Sequence, residues 1–176
     1  MRRWLLFCFT IILLLGACQS KDTFTGREGE EMTWVHEESN MNLVEENGPV
    51  MVKISNLRVG NLKPADEDKA AFDNKEKVTL VMIDLKLKNT VDEDVVLSIN
   101  EAFLTTNTGE AIEADKLISE LVGDPFFGKG EKEGNIIFVL DTPAEEINEL
   151  DLVLPGSEML ESNEIFDEIE LNFLFN

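Results

Sequence analysis

Histidine occurs once in this 176-residue chain, at His36, and cysteine twice, at Cys8 and Cys18. A metal centre of paired imidazoles, or a Ser–His–Asp set with a choice of bases, is therefore excluded from the start. Glu37 and Glu38 follow His36, which leaves a mixed His–carboxylate metal site conceivable. It would fall at the border of a polar N-terminal stretch, where nothing fixes ligand geometry, so His36 is expected to be a solvated side chain. Carboxylates are abundant: 36 Asp and Glu against 15 Lys and Arg give a formal net charge of −21. Two carboxylates flanking a glycosidic bond can hydrolyse it. With so many acids, however, pairs such as Glu145 and Glu146 or Asp92 and Asp94 arise at any spacing. A sugar cleft also needs aromatic walls, yet the chain has no tyrosine and only Trp34 follows the first 17 residues.

Two acidic runs suit a hard cation better. Asp66-Glu67-Asp68 and Asp92-Glu93-Asp94 fall in expected loops, and loop carboxylates are the oxygen ligands calcium takes. Neither run has the Asp-x-Asp-x-Asp-Gly order of an EF-hand, and solvated turns are the plainer expectation. Asp66, Asp68, Asp92 and Asp94 stand as the calcium candidates, and no cofactor is expected. Phe126-Phe127, set between Gly123 and Gly128, is the most exposed-looking apolar pair. It fits either a partner contact or a plug for the open end of a core, with the plug preferred. The charge excludes nucleic acid and anionic headgroups as partners, since both need a cationic patch. The function expected is a non-catalytic binding or interaction module. An envelope hydrolase, or a calcium-binding domain using loop carboxylates, is the alternative.

The elements that must position these residues follow a period of two. Val50, Val52 and Ile54 alternate with Met51, Lys53 and Ser55, and Leu57 and Val59 continue the row. Val78–Asn89 places Val81, Ile83, Leu85 and Leu87 on one face and Asp84, Lys86 and Lys88 on the other. Further strands are expected at Val95–Ile99, at Phe103-Leu104 before the turn Asn107-Thr108-Gly109, at Ile136–Leu140, at Leu150–Leu154 and at Ile169–Phe175. Asp115–Val122 has the one helical spacing, stopped by Gly123 and Pro125. About seven or eight short strands separated by turn chemistry predict an all-β, antiparallel β-sandwich.

The N-terminus carries an address. Arg2 and Arg3, an apolar run from Trp4 to Leu15, and the small pair Gly16-Ala17 are the parts of an export signal. The run is too short for a transmembrane span of roughly 20 residues. Leu15-Gly16-Ala17-Cys18 resembles the lipobox of bacterial lipoproteins, which implies acylation of Cys18, cleavage before it, and a place on the outer side of the cell membrane. The expected divisions are a signal at 1–17, a lipidated cysteine and flexible tether at 18–32, and a sandwich at 33–176. Four stretches resemble the immunoglobulin-like lipoprotein domain called domain of unknown function 4352: Val50–Leu57, Asp84–Asn89 with its acidic turn, Phe103–Gly109, and Gly134–Pro143. That resemblance implies an immunoglobulin-like sandwich over about residues 48–155 and passes on no catalytic residue.

Overall fold

A computed structural model describes residues 23–24, 29–121 and 125–175 of the chain, so the signal at 1–17 and Cys18 lie outside the described residues. The fold is an all-β antiparallel sandwich. Its first sheet is built on two long strands, β4 (Val50–Lys63) and β5 (Val78–Asn89). On one side of this pair lie β2 (Glu31–Glu38) and β1 (Thr23–Phe24). On the other lies β9 (Gly130–Leu140), and β3 (Leu43–Asn47) pairs with the first half of β4. A second sheet runs β13 (Ile169–Leu174), β10 (Glu149–Leu154), β7 (Phe103–Thr106), β8 (Ala111–Glu113). A small ribbon joins β12 (Glu164–Ile165), β11 (Glu158–Met159) and β6 (Val95–Val96). Asn47-Gly48 turns β3 into β4, with Gly48 at φ 55°, a conformation in which a Cβ is strained.

Period-two burial makes the core. Val52, Ile54, Leu57 and Val59 of β4, Val81, Ile83 and Leu85 of β5, and Ile136, Phe138 and Leu140 of β9 face Leu104, Leu150, Leu152 and Leu154 of the second sheet. At about 25 cal/mol per Å² of apolar surface, such rows are the main stabilising term.

The outward face of the large sheet is divided. Near the start of β5 it is apolar: Met32, Leu62, Val78, Leu80 and Ile137 form a second cluster, with Trp34, Phe72 and Ile118 packed against it. Trp34 stands opposite Gly60, whose missing side chain leaves room for the ring. Further along β5 the face is a ladder of charges, with Arg58 on Asp84 and Lys86 on Glu131 and Glu133.

Four expectations are corrected. The segment after Asp115 forms no helix: Asp115 Oδ1 takes the Leu117 amide, a local bond that competes with helical pairing. The same segment spends its remaining groups on the open edge of β9. Asp115 N donates to Ile137 O, Leu121 N to Asn135 O, and Ser119 Oγ accepts from Ile137 N. An edge strand's unpaired groups are covered in this way, and Leu117 is left 91% exposed. The tether is shorter than 18–32, because β1 pairs Thr23 with Thr33 and Phe24 with Met32, and β2 begins at Glu31. His36 is not a free side chain but a member of β2, stacked on Phe175 with ring centroids 4.4 Å apart. The strand expected over Val95–Ile99 is only two residues long, and a 3-10 turn takes Ile99–Glu101.

Candidate functional site

β5 ends at Asn89, and from there the acidic turn leads into β6. Asn89 is fully buried. Its Nδ2 donates 2.9 Å to Glu93 O and 2.9 Å to Gly128 O, while its Oδ1 accepts from Val91 N at 3.1 Å. One amide thus ties the Asp92-Glu93-Asp94 turn to the loop that carries Phe126 and Phe127. Other bonds close the same joint. Asp94 Oδ1 accepts from Gly128 N at 2.9 Å, and Lys129 Nζ lies 3.1 Å from Asp92 Oδ2. Gly128 has φ 70°, which turns the chain there.

The phenylalanine pair is split by this geometry. Phe126 exchanges backbone bonds with Val95 in both directions, at 2.7 and 3.0 Å, and its ring is 4% exposed in the main core. Lys132 Nζ sits 4.7 Å above that ring. Phe127, the next residue, is 79% exposed. Alternation along an extended chain sends consecutive side chains to opposite sides. The plug and the contact point are therefore two different residues. On the far side of β6, Leu160 N donates to Asp94 O at 2.9 Å, and Leu160 and Ile165 are 43% and 74% exposed.

The four calcium candidates do not converge. β4 and β5 are antiparallel, so the loop after β4 with Asp66 and Asp68 lies at the opposite end of the sheet from the turn after β5 with Asp92 and Asp94. Asp66 is 2.9 Å from Lys69, and that hydrogen bond and charge hold its carboxyl below the ordinary value. Asp68 precedes the short turn Lys69–Phe72. Among the described residues no three His, Cys, Asp or Glu are grouped to hold a metal ion. The sole histidine is engaged in the seam between β2 and the end of β13, its Nε2 buried without a hydrogen-bond partner.

A groove missed by sequence reasoning lies on the outward face of the large sheet. It holds about 310 Å³ and is lined by Met32, Trp34, Arg58, Leu62, Leu80 and Met82. Arg58 lies 5.1 Å from the Trp34 ring centroid and 3.1 Å from Asp84 Oδ2. The run Val78-Thr-Leu-Val-Met-Ile83, apolar but for Thr79, was the available signal, since a half-exposed strand alternates and a strand covered on both faces does not.

Among the described residues no helix is long and apolar enough to cross a membrane. No family model matches the chain, and no curated protein matches it. Among solved structures it is similar to the crystal structure of a functionally unknown protein from Listeria monocytogenes EGD-e, with 12% identity and a TM-score of 0.64. The alignment covers 82% of this chain and 88% of that one. A conserved hypothetical protein from Bacillus anthracis aligns with 14% identity and a TM-score of 0.45, over 76% of this chain and 96% of that one. The Listeria likeness shows a shared β-sandwich fold, and fold alone.

Proposed function

We propose that the protein is a lipoprotein anchored through acylated Cys18 to the extracytoplasmic face of the cell membrane. Its sandwich is a non-catalytic binding module for an envelope protein or ligand. The loop pair braced by Asn89 is the contact surface. One observation carries the binding role: Phe127 is 79% exposed on a loop whose next residue, Gly128, is fixed by part-buried bonds to Asn89 and Asp94. A braced loop backbone leaves little chain ordering to oppose contact, which suits a recognition anchor. The position supports the reading too. Thr23, the first described residue after Cys18, pairs beside Asn61, eleven residues along β4 from Val50 and Asn89. At 3.3 Å per residue the tip is roughly 36 Å along the sheet from the level of Thr23.

Three measurements test this. Fatty-acid labelling of intact cells should mark the wild type and leave Cys18→Ala unmarked, and an unlabelled wild type would refute the anchor. In-cell crosslinking through the tip should recover a partner that Phe127→Ser loses while its melting midpoint stays within a few degrees. Capture unaffected by Phe127→Ser removes the tip from the proposal. Turnover of an envelope substrate, abolished by changing one carboxylate, overturns the non-catalytic role.

A further inference from the structure

The outward face of the second sheet is uncovered, and register sets its side chains in rows. Glu113, Phe103, Val153 and Glu170 stand side by side across β8, β7, β10 and β13. Ala111, Thr105, Asp151 and Asn172 make the next row, and Glu149 opposite Leu174 the last. Phe103 is 40% exposed and Leu174 66%. The Asn172 amide donates 2.8 Å to Glu149 and 2.8 Å to Asp151, which holds both carboxylates on this face. No Lys or Arg occurs anywhere in residues 89–115 or 133–176, which carry 19 acids between them. The cations of the strands, Lys53, Arg58, Lys63, Lys86, Lys88 and Lys132, all belong to the other sheet. An apolar centre, Phe103 beside Val153, is thus rimmed by one sign of charge.

We propose that this face docks a cationic segment of another protein. An apolar side chain of the partner rests on Phe103 and Val153, and its Lys or Arg side chains reach Glu113, Asp151 and Glu170. Three alternatives fail on charge. A second copy would set carboxylate rows against carboxylate rows, and nucleic acid and an anionic bilayer surface carry the same sign. Size fixes the kind of complex. Four strands about 4.8 Å apart, two of six residues, one of four and one of three, present about 300 Å² in plan, well below the ~800 Å² per partner of a stable interface. The contact is therefore short-lived and salt-sensitive, made to a peptide-sized segment. It stands independently of the tip, since neither Phe127 nor Cys18 enters it.

The test uses the full chain in detergent micelles and a ten-residue peptide alternating Arg and Phe, followed by fluorescence anisotropy. The peptide should bind in low salt and release in about 1 M salt, where screening acts within about 3 Å. The triple change Glu113→Gln, Asp151→Asn, Glu170→Gln should weaken binding about tenfold, as three weak exposed ion pairs together would. A triple of equal charge elsewhere, Glu37→Gln, Glu46→Gln, Glu67→Gln, should change it by no more than about twofold. Phe103→Ser should weaken binding with the melting midpoint unchanged, while Phe127→Ser leaves binding intact. Equal weakening by both triples, absence of binding, or self-association through Phe103 in sedimentation would each overturn the proposal.

Discussion

Trp34 occupies the space that a side chain at position 60 would need: a Cβ built on Gly60 would stand 2.8 Å from the Trp34 ring. It would also stand 2.5 Å from the backbone oxygen of Thr33 and 2.9 Å from the Met32 methyl. A methyl can swing aside; a strand carbonyl in a ladder cannot. Gly60→Ala should therefore cost about 1–3 kcal/mol, the usual range for overpacking, and shift Trp34 emission as the groove around it opens. An unchanged midpoint and spectrum would show that the strands part without penalty.

The loop pair should fail in two distinguishable ways. Phe126→Ser empties a core position and should cost about 3–5 kcal/mol. Asn89→Ala leaves Glu93 O, Gly128 O and Val91 N without their partner and should cost about 1–3 kcal/mol. Denaturant titration measures both. A neutral Asn89→Ala would mean that Asp94, Lys129 and the Val95–Phe126 backbone bonds hold the joint without it.

The charge ladder on the large sheet predicts a pH dependence with a definite sign. Hydrogen bonds from Lys86 and then Lys88 hold the Glu131 carboxyl below its ordinary 4.5. Its contribution is thus full above about pH 4.5 and lost as pH falls through the lower folded value. Bonds to Glu131 and Glu133 push the Lys86 ammonium above its ordinary 10.5, so that contribution is full below 10.5 and lost at higher pH. Both groups are well solvated, so the effect is small. The melting midpoint of the wild type should exceed that of Glu131→Gln near pH 7 by a margin that closes towards pH 3. Glu46→Gln, an exposed acid opposite Met51, is the reference for charge alone. A margin independent of pH would show that the ladder adds nothing.

Salt should stabilise the fold. Cleavage before Cys18 would remove Arg2 and Arg3, leaving 13 cations against 36 acids and a formal charge of −23. Screening contracts from about 30 Å at 0.01 M to about 3 Å at 1 M. The midpoint should rise between those concentrations, more in sulfate than in chloride because sulfate also strengthens apolar burial. A falling midpoint would mean that pairs such as Lys75 on Asp141 outweigh the repulsion.

Much of the sandwich was legible because a half-buried strand writes its periodicity into the chain. Val78–Asn89 is β5 to the residue, and the alternating tail is β13. What escaped was structure held by something other than alternation. β9 begins at Gly130, and its first residues set Glu131 and Glu133 against Lys86 and Lys88; ion pairs across strands leave no hydrophobic signal. Leu117, Ile118 and Leu121 have helical spacing, but the carbonyls of a neighbouring edge, invisible from within the segment, decided their path. The site was half visible. The turn at Asp92 and the pair at Phe126 both stood out, but their contact spans more than 30 residues and depends on sheet register. That Phe126 and Phe127 part company follows from the bridge to Val95, which no local pattern encodes.

The two-residue strand β1 has a mechanical meaning. With the lipid proposed at Cys18, five peptide steps separate the anchor from Thr23, a contour of at most about 18 Å. Those two residues are the weakest pairing in the large sheet, and a pull from the membrane loads them first. Once they release, the next strand is β2, which starts at Glu31, thirteen steps from Cys18 and a contour of at most about 45 Å. The load then runs along β2, in shear against its whole length on β4, where many bonds share the force at once. With the chain anchored at Cys18, β1 would be a latch on reach: closed, it would keep the domain near the surface, and under tension it would release more chain before the sandwich itself is strained.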